Sequence, residues 1–407
     1  MGDERADATI GERVQALRQR CGKSRAVVAG LVGRSPEWLR SVEKGRRLPP
    51  RWEMLVRLAD VLGVQDLSEL TGDTSIPAGI VPRGSHDVVP TLRAAIEETA
   101  LQVPEQPQPD LEDLHRRVDQ AWQTWHGSRA PRTAVGAVLP QIIRDGRAAA
   151  RSLEGRPRRR AHAALSAAYA LAEQVLAWVS DSALLWLSAD RCMTAAEQAD
   201  DPEALAGAAW VVGNVWRAAG REEEAARLVT DAASLLRPRL ESGPATTRAL
   251  WGSCQLHAAI TTARLGREGD ALRHLDGAER VANGLPAGHA HPWTLFGRAN
   301  ARVTSVSVHV DLRKSGGALE AAEQIDPESV PSIDRRARLW LETARAYHQR
   351  SDRTATVQVL RKAVDTSEEA MRCHPVSRGI AAELLTSSGG MVQSEARAVA
   401  ARLGLAV

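Results

Sequence analysis

Glu37, Arg40, Ser41 and Lys44 fall on one side of a short helical segment, with Leu39 and Val42 on the other. Side chains of these types read bases. A glutamate accepts from a cytosine amino group, and an arginine donates to a guanine edge or to a phosphate. A helix this short with a wholly polar outer face needs something to be presented to, and a DNA major groove supplies it. The surrounding charge agrees. Arg13 to Arg57 holds twelve Lys and Arg residues against Glu37, Glu43 and Glu53, although the whole chain of 407 residues carries a formal charge of only +3. Phosphate contacts supply most of the non-specific affinity for DNA, so a cationic segment of this kind is the electrostatic footprint of a DNA-binding head. The nearly neutral remainder gives no reason to touch nucleic acid.

Little else in the chain points to chemistry. There is no Walker A lysine loop, no G-x-S-x-G elbow and no H-E-x-x-H pair, so an enzyme is not expected and no cofactor is implied. His289 and His291 in GHAHPW lack an acidic or thiol partner nearby and read as a solvated loop rather than a metal site. The run Glu222 to Glu224 opens a helix, where negative charge favours the dipole, and reads as a solvated helix start. Cys21, Cys192, Cys254 and Cys373 are scattered without paired spacing, which fits a reducing compartment. With no N-terminal apolar leader and no long apolar run, the expected location is the cytoplasm and no membrane partner is expected.

The elements that must position the base-reading residues are legible from caps. Ser24 and Ser35 are good helix N-caps, and Pro36 stands at a first helical position, where its missing N–H costs nothing. Gly33 allows the tight bend between the two helices. Upstream, Thr9 and Glu12 form a capping box before Ile10, Val14, Leu17 and Cys21, which share one helix face. Downstream, Leu55, Leu58, Ala59 and Leu62 repeat that pattern, and a short segment ends at Leu70 and Thr71. Five short helices with the second and third as a turn motif resemble the helix-turn-helix domain of the phage repressor and Cro (XRE) family, over residues 9–72. The resemblance implies that an arginine of helix 1 pairs with a glutamate ending helix 3, here Arg18 and Glu43. It departs from the family at Arg25, where glutamine is usual, and at Pro36, Glu37 and Ser41, which replace the usual base-reading glutamines. The sequence that is read should therefore differ. Trp38, at the edge of the apolar face, is expected to pack in the core.

Beyond a head of residues 1–72, residues 73–109 turn to Pro, Gly, Ser and acidic types and read as a linker with one short helix, Pro90 to Leu101. Residues 110–407 show no strand-period pattern and a succession of helical segments, among them 131–153, 292–312 and 352–371. GREEEAARLVTDA (Gly220 to Ala232) aligns with GREGDALRHLDGA (Gly266 to Ala278), SDRTATVQVLRKA (Ser351 to Ala363) keeps the last alanine, and Gly317 with Ala318 marks a weaker copy. Gly213 and Trp216, and likewise Trp340, Ala344 and Tyr347, precede these turns in a pattern that resembles the tetratricopeptide repeat. The expected fold is all-α, a five-helix Cro/repressor-like head followed by an α-solenoid of tetratricopeptide-like hairpins. Head, linker and the stretches LSADRCMTAAEQADDPEAL and HPWTLFGRAN together resemble a large group of actinobacterial regulators. The architecture alone also resembles the peptide-pheromone receptors of Gram-positive bacteria.

These resemblances imply a DNA-binding transcription regulator, a homodimer on double-stranded DNA, whose repeats sense a peptide or small molecule; the rival is a repeat domain that docks a protein and takes no small ligand. The expected DNA-contacting residues are Arg25, Ser35, Pro36, Glu37, Arg40, Ser41, Lys44, Arg46, Arg47 and Arg51. Most of the tryptophans are expected in the interhelix core. On the clearest repeat, taking Gly213 and Trp216 as packing positions turns Trp210, Asn214 and Arg217 toward a concave inner wall, with Arg345 and His348 extending it. Asn214 can pair with an extended peptide and Arg217 with a carboxylate. Alternatively, Asn214 and Arg217 only bond neighbouring helices.

Overall fold

A computed structural model of the chain describes residues 9–45, 52–64, 68–71, 86–99, 110–387 and 390–405. Among them every regular element is a helix. The head holds α1 (Ile10–Arg20), α2 (Arg25–Leu31), α3 (Pro36–Glu43), α4 (Trp52–Leu62) and α5 (Ser68–Thr71). Its helices start where capping chemistry directs. Thr9 and Glu12 close a reciprocal capping box, Ser24 accepts from the Val27 N–H, and Ser35 accepts from the Trp38 N–H. Val14, Leu17, Val28, Leu39, Val42, Leu55, Leu58 and Leu62 fill a separate small core. Helix α1 crosses the end of α3 so closely that a Cβ at Gly11 would lie 2.2 Å from the Val42 carbonyl oxygen.

The helical array begins with α6 (Val88–Glu97), α7 (Leu111–Gly127), α8 (Pro131–Gly136) and α9 (Leu139–Ser152). Helix α6, the short helix expected in the linker, buries Val88, Leu92 and Ile96 in the first core of the array, against α8 and α9. Hairpins follow: α10 (Gly155–Leu176) with α11 (Ser182–Ala199), α12 (Pro202–Ala218) with α13 (Glu222–Leu236), and α14 (Ala245–Arg264) with α15 (Glu268–Asn283). They continue as α16 (Arg298–Asp311) with α17 (Ser315–Glu323) and α18 (Ile333–Gln349) with α19 (Arg353–Thr366). The chain ends with α20 (Glu368–Cys373), α21 (Pro375–Ser387) and α22 (Gly390–Arg402).

The aligned repeats share one turn. Gly220 and Gly266 both take left-handed backbone, φ +84° and +74°, and the alanines five and twelve residues on are buried in both copies. Glycine is the residue that accepts this conformation without strain. In the later copies the same place is held by Ser351 (φ 59°) and by Arg313 (φ 62°), five residues before Ala318. The weaker copy is therefore set by Arg313 rather than by Gly317.

Three expected segments break differently. Residues 131–153 form two helices, because Pro140 has no N–H to continue the ladder from α8. Residues 352–371 break at Ser367, whose extended backbone caps α20. Residues 292–297 precede α16 as a loop. That loop is also where the reading of His289 and His291 as solvated fails for His291, which is 6 % exposed. Its Nδ1 accepts from the backbone N–H groups of Trp293 and Thr294, and burial holds its pKa down at about 3. Among the described residues no group of His, Cys, Asp and Glu is placed to hold a metal ion.

The array closes on itself instead of spiralling open. The first helices of the hairpins touch in order, α10 to α12, α14, α16 and α18, and both α18 and α10 contact α7. Side chains far apart in sequence tie this joint. The Glu369 carboxylate accepts from the Arg132 and Thr133 N–H groups (2.6 and 3.1 Å) and from the Thr133 hydroxyl at 2.6 Å, taking up the orphan donors at the start of α8. Ser367 donates to the Arg129 carbonyl at 2.8 Å. The loop before α16 lies inside the circuit. Trp293 stacks on Trp122 of α7, centroids 6.1 Å apart, and Phe296 lies against Gly252 of α14, where a Cβ would be 2.0 Å away.

Candidate nucleic-acid interface and the polar interior of the array

Helix α3 divides its residues sharply. Trp38, Leu39, Val42 and Glu43 are buried, whereas Pro36, Glu37, Arg40 and Lys44 are exposed and Ser41 is half-buried. Pro36 and the Ser35 cap fix where the helix begins, so Glu37 stands in its first turn on the open side. Glu37 and Arg40 approach each other at 3.8 Å, but both are well solvated, and such a pair is weak enough to part for a base or a phosphate. Trp38 belongs to the core, with the Arg34 guanidinium 4.9 Å above its ring.

What holds this face rigid is a buried carboxylate. Glu43, at the end of α3, accepts from Arg18 Nε at 2.5 Å and from Arg25 Nε at 2.6 Å, and its side chain is fully buried. Arg18 also donates to the Lys23 carbonyl at 2.9 Å, so its charge is doubly satisfied. Arg25 therefore serves two surfaces. Its Nε is tied inward, while a side chain 36 % exposed leaves the outer edge of the guanidinium toward solvent at the start of α2. Ser35, Pro36, Glu37, Arg40, Ser41, Lys44 and Arg25 thus belong to α2 and α3 and their caps; Arg46, Arg47 and Arg51 lie outside the described residues.

The head rests on the array through Arg34, which the sequence did not single out, and through Glu222, which reads from sequence as a solvated helix start. Arg34, in the α2–α3 turn, makes two bonds to the Glu222 carboxylate, at 2.5 and 3.0 Å, with both side chains nearly buried. The guanidinium lies on Gly220, where a Cβ would be 2.5 Å from its carbon. The acidic run opening α13 is therefore not simply solvated: Glu222 docks the head, Glu223 pairs with Arg267, and Glu224 pairs with Arg221. Helix α4 also contacts α21.

Inside the array, Asn214, Arg217 and Arg345 belong to one polar belt. Arg217 donates to Asn214 Oδ1 at 2.7 Å and reaches Thr261 Oγ1 at 3.5 Å. Arg264 pairs with Asp311, which also receives Arg345 at 2.9 Å, and Arg345 donates to Glu342 as well. Burial pulls the Arg345 guanidinium down, but the Glu342 and Asp311 carboxylates outweigh it and hold it firmly charged. Arg338 extends the belt to His374 Nε2, and burial, then the arginine, keeps that imidazole well below its ordinary pKa. Trp210 faces His257 edge-on, centroids 6.3 Å apart. His348 stands apart from the belt, 3.1 Å from Glu383 of α21. Sequence reasoning missed Arg264 and Asp311, whose partners lie on other helices, and also Glu342, which pairs with Arg338 and Arg345 of its own helix, and the buried Glu173.

A family model described as a helix-turn-helix domain matches residues 9–70. No curated protein matches the chain. The matched span is the head, and it defines the class: an N-terminal helix-turn-helix DNA-binding domain, as a DNA-binding regulator carries, followed by a helical, repeat-like region. Among the described residues no helix is long and apolar enough to cross a membrane.

Proposed function

We propose that this chain is a sequence-specific transcription regulator of the phage repressor and Cro type, acting as a homodimer on double-stranded DNA. The observation that carries the proposal is the exposed polar face of α3, held by the buried Glu43 within a span that matches a helix-turn-helix domain. Ser35, Pro36, Glu37, Arg40 and Ser41 meet base edges, and Arg25, Lys44, Arg46, Arg47 and Arg51 follow the backbone. One small head makes few contacts, and paired heads about one helical turn apart (roughly 34 Å) are the usual remedy. The helical array is tetratricopeptide-like and senses a peptide or small molecule through Trp210, Asn214, Arg217 and Arg345, without His348, which pairs with Glu383 away from the belt. A ligand there acts on the head by its differential affinity for docked and released arrangements.

Two substitutions separate reading from holding. Glu37→Ala should change the preferred base at one position of each half-site while leaving affinity for unrelated DNA nearly unchanged. Lys44→Ala should weaken binding about equally on all sequences and reduce the salt slope by about 1. Competition binding on a library of site variants reads both. Uniform weakening by both substitutions would remove α3 from the base-reading role.

A further inference from the structure

We propose that the seam where the array closes is a binding site for a small phosphorylated ligand with a flat ring, of mononucleotide size. A cavity of about 360 Å³ opens there between the α7–α8 corner, α18 and α19. This volume lies in the range of small-ligand pockets. Arg129, Arg336, Trp340, Lys362 and Asp365 are among its lining residues.

The charges do not balance inside it. Arg336 is paired with Glu328 at 2.9 Å, and Asp365 with Arg402 at 2.5 Å. Among the described residues, Arg129 and Lys362 have no carboxylate partner; Arg129 donates only to the Asp365 carbonyl, and Lys362 lies 5.0 Å over the Trp340 ring. Arg336 Nε is buried with no acceptor. Two exposed cations with no carboxylate partner, beside an unsatisfied guanidinium N–H, match a phosphate monoester, which carries nearly two negative charges at neutral pH. A carboxylate would balance one of them. Trp340 supplies an indole face at the same cavity; Lys362 covers it in the structure, and a flat ring stacks there as Lys362 turns from the indole to the phosphate.

Position gives the site a consequence. Arg129 lies in the turn between α7 and α8 at the start of the array and Arg336, Trp340 and Lys362 belong to the α18–α19 hairpin, so a bound anion bridges the closing joint beside Glu369. The polar belt around Arg217 and Arg345 is a different place, and the seam site stands whether or not the head reads DNA.

Calorimetry on the full chain, without DNA, tests it with adenosine monophosphate, adenosine and inorganic phosphate as probes. The nucleotide should bind at one site, at least about tenfold tighter than phosphate or adenosine alone. Lys362→Gln and Trp340→Leu should each weaken it about tenfold, and Arg361→Gln, on an exposed neighbour outside the cavity, should not. Thermal melting checks that each variant is folded, and Arg129→Gln provides a second loss of charge away from the α18–α19 core. Overturning results are no nucleotide binding at millimolar concentration, equal binding of phosphate alone, or binding unchanged in both Lys362→Gln and Arg129→Gln. Since no DNA is present, failure here leaves the proposed DNA reading untouched.

Discussion

Glu43→Ala should unfold the head and abolish DNA binding on every sequence, while the array stays folded. The substitution strands Arg18, whose side chain is only 9 % exposed, without the carboxylate it meets at 2.5 Å. Removing one partner of a buried pair costs about 3–5 kcal/mol, comparable to the whole stability of a domain this small. Arg25 loses its inward tether in the same stroke. Hydrogen exchange on the full chain is the check: amides of α1 to α4 should lose protection and those of α10 to α19 should keep it. Retained protection in the head would mean that Arg18 finds another partner or water, and that the pair does not organise α3.

The second large effect is a stability gain. Glu173 on α10 is buried, and desolvation raises its pKa to about 7 in spite of bonds from Gln174 and Asn214 and the charge of Arg217. Its ordinary value is 4.5, so between these two pH values the unfolded chain has released the proton while the folded one retains it. Folding then takes up a proton, and stability falls as pH rises through this window, by about 3 kcal/mol in all, with no further change above it. Glu173→Gln cannot ionise and keeps a hydrogen-bonding amide in place. It should match the parent near pH 4 and exceed it by about 3 kcal/mol at pH 8, read as the difference between urea unfolding curves. A variant less stable than the parent at pH 8 would show that the carboxylate is held charged in the folded protein.

What the sequence disclosed follows the range of each interaction. Caps act within four residues, so Thr9, Ser24, Ser35 and Pro36 mark the head's helix starts directly. The apolar spacing of α4 and the turns at Gly220 and Gly266 are equally local. Arg18 and Glu43 are 25 residues apart, and only the family resemblance named them. The closing joint was invisible for the same reason carried further: Arg132 and Glu369 are 237 residues apart, and neither sits in a motif. In the weaker copy the sequence places the turn at Gly317 instead of at the left-handed Arg313, because the expected signal is glycine. His291 looked solvated because its loop lies in the interior, where Trp293 and Phe296 carry it against Trp122 and Gly252. Asn214 and Arg217 are bonded to each other within α12, and Arg217 reaches Thr261 of α14 while Asn214 bonds Glu173 of α10; those two links support a role in interhelix order as directly as one in sensing.

The docking of Arg34 on Glu222 adds a mechanical term that a linker alone lacks. It fixes the α2–α3 turn at Arg34, three residues before Glu37, against Gly220 and the start of α13, so the α12–α13 corner and the start of α3 are tied together. Because both side chains are nearly buried, the tie is not a screened surface pair.

The most direct test of the central claim, that the outer face of α3 reads DNA, is selection of genomic fragments by the purified full chain, followed by sequencing and footprinting. The account predicts one enriched motif with two-fold symmetry, half-sites about one helical turn apart, and a preference at one position per half-site that changes with Glu37→Ala. Retained fragments with no common motif, or a motif identical for parent and Glu37→Ala, would contradict it.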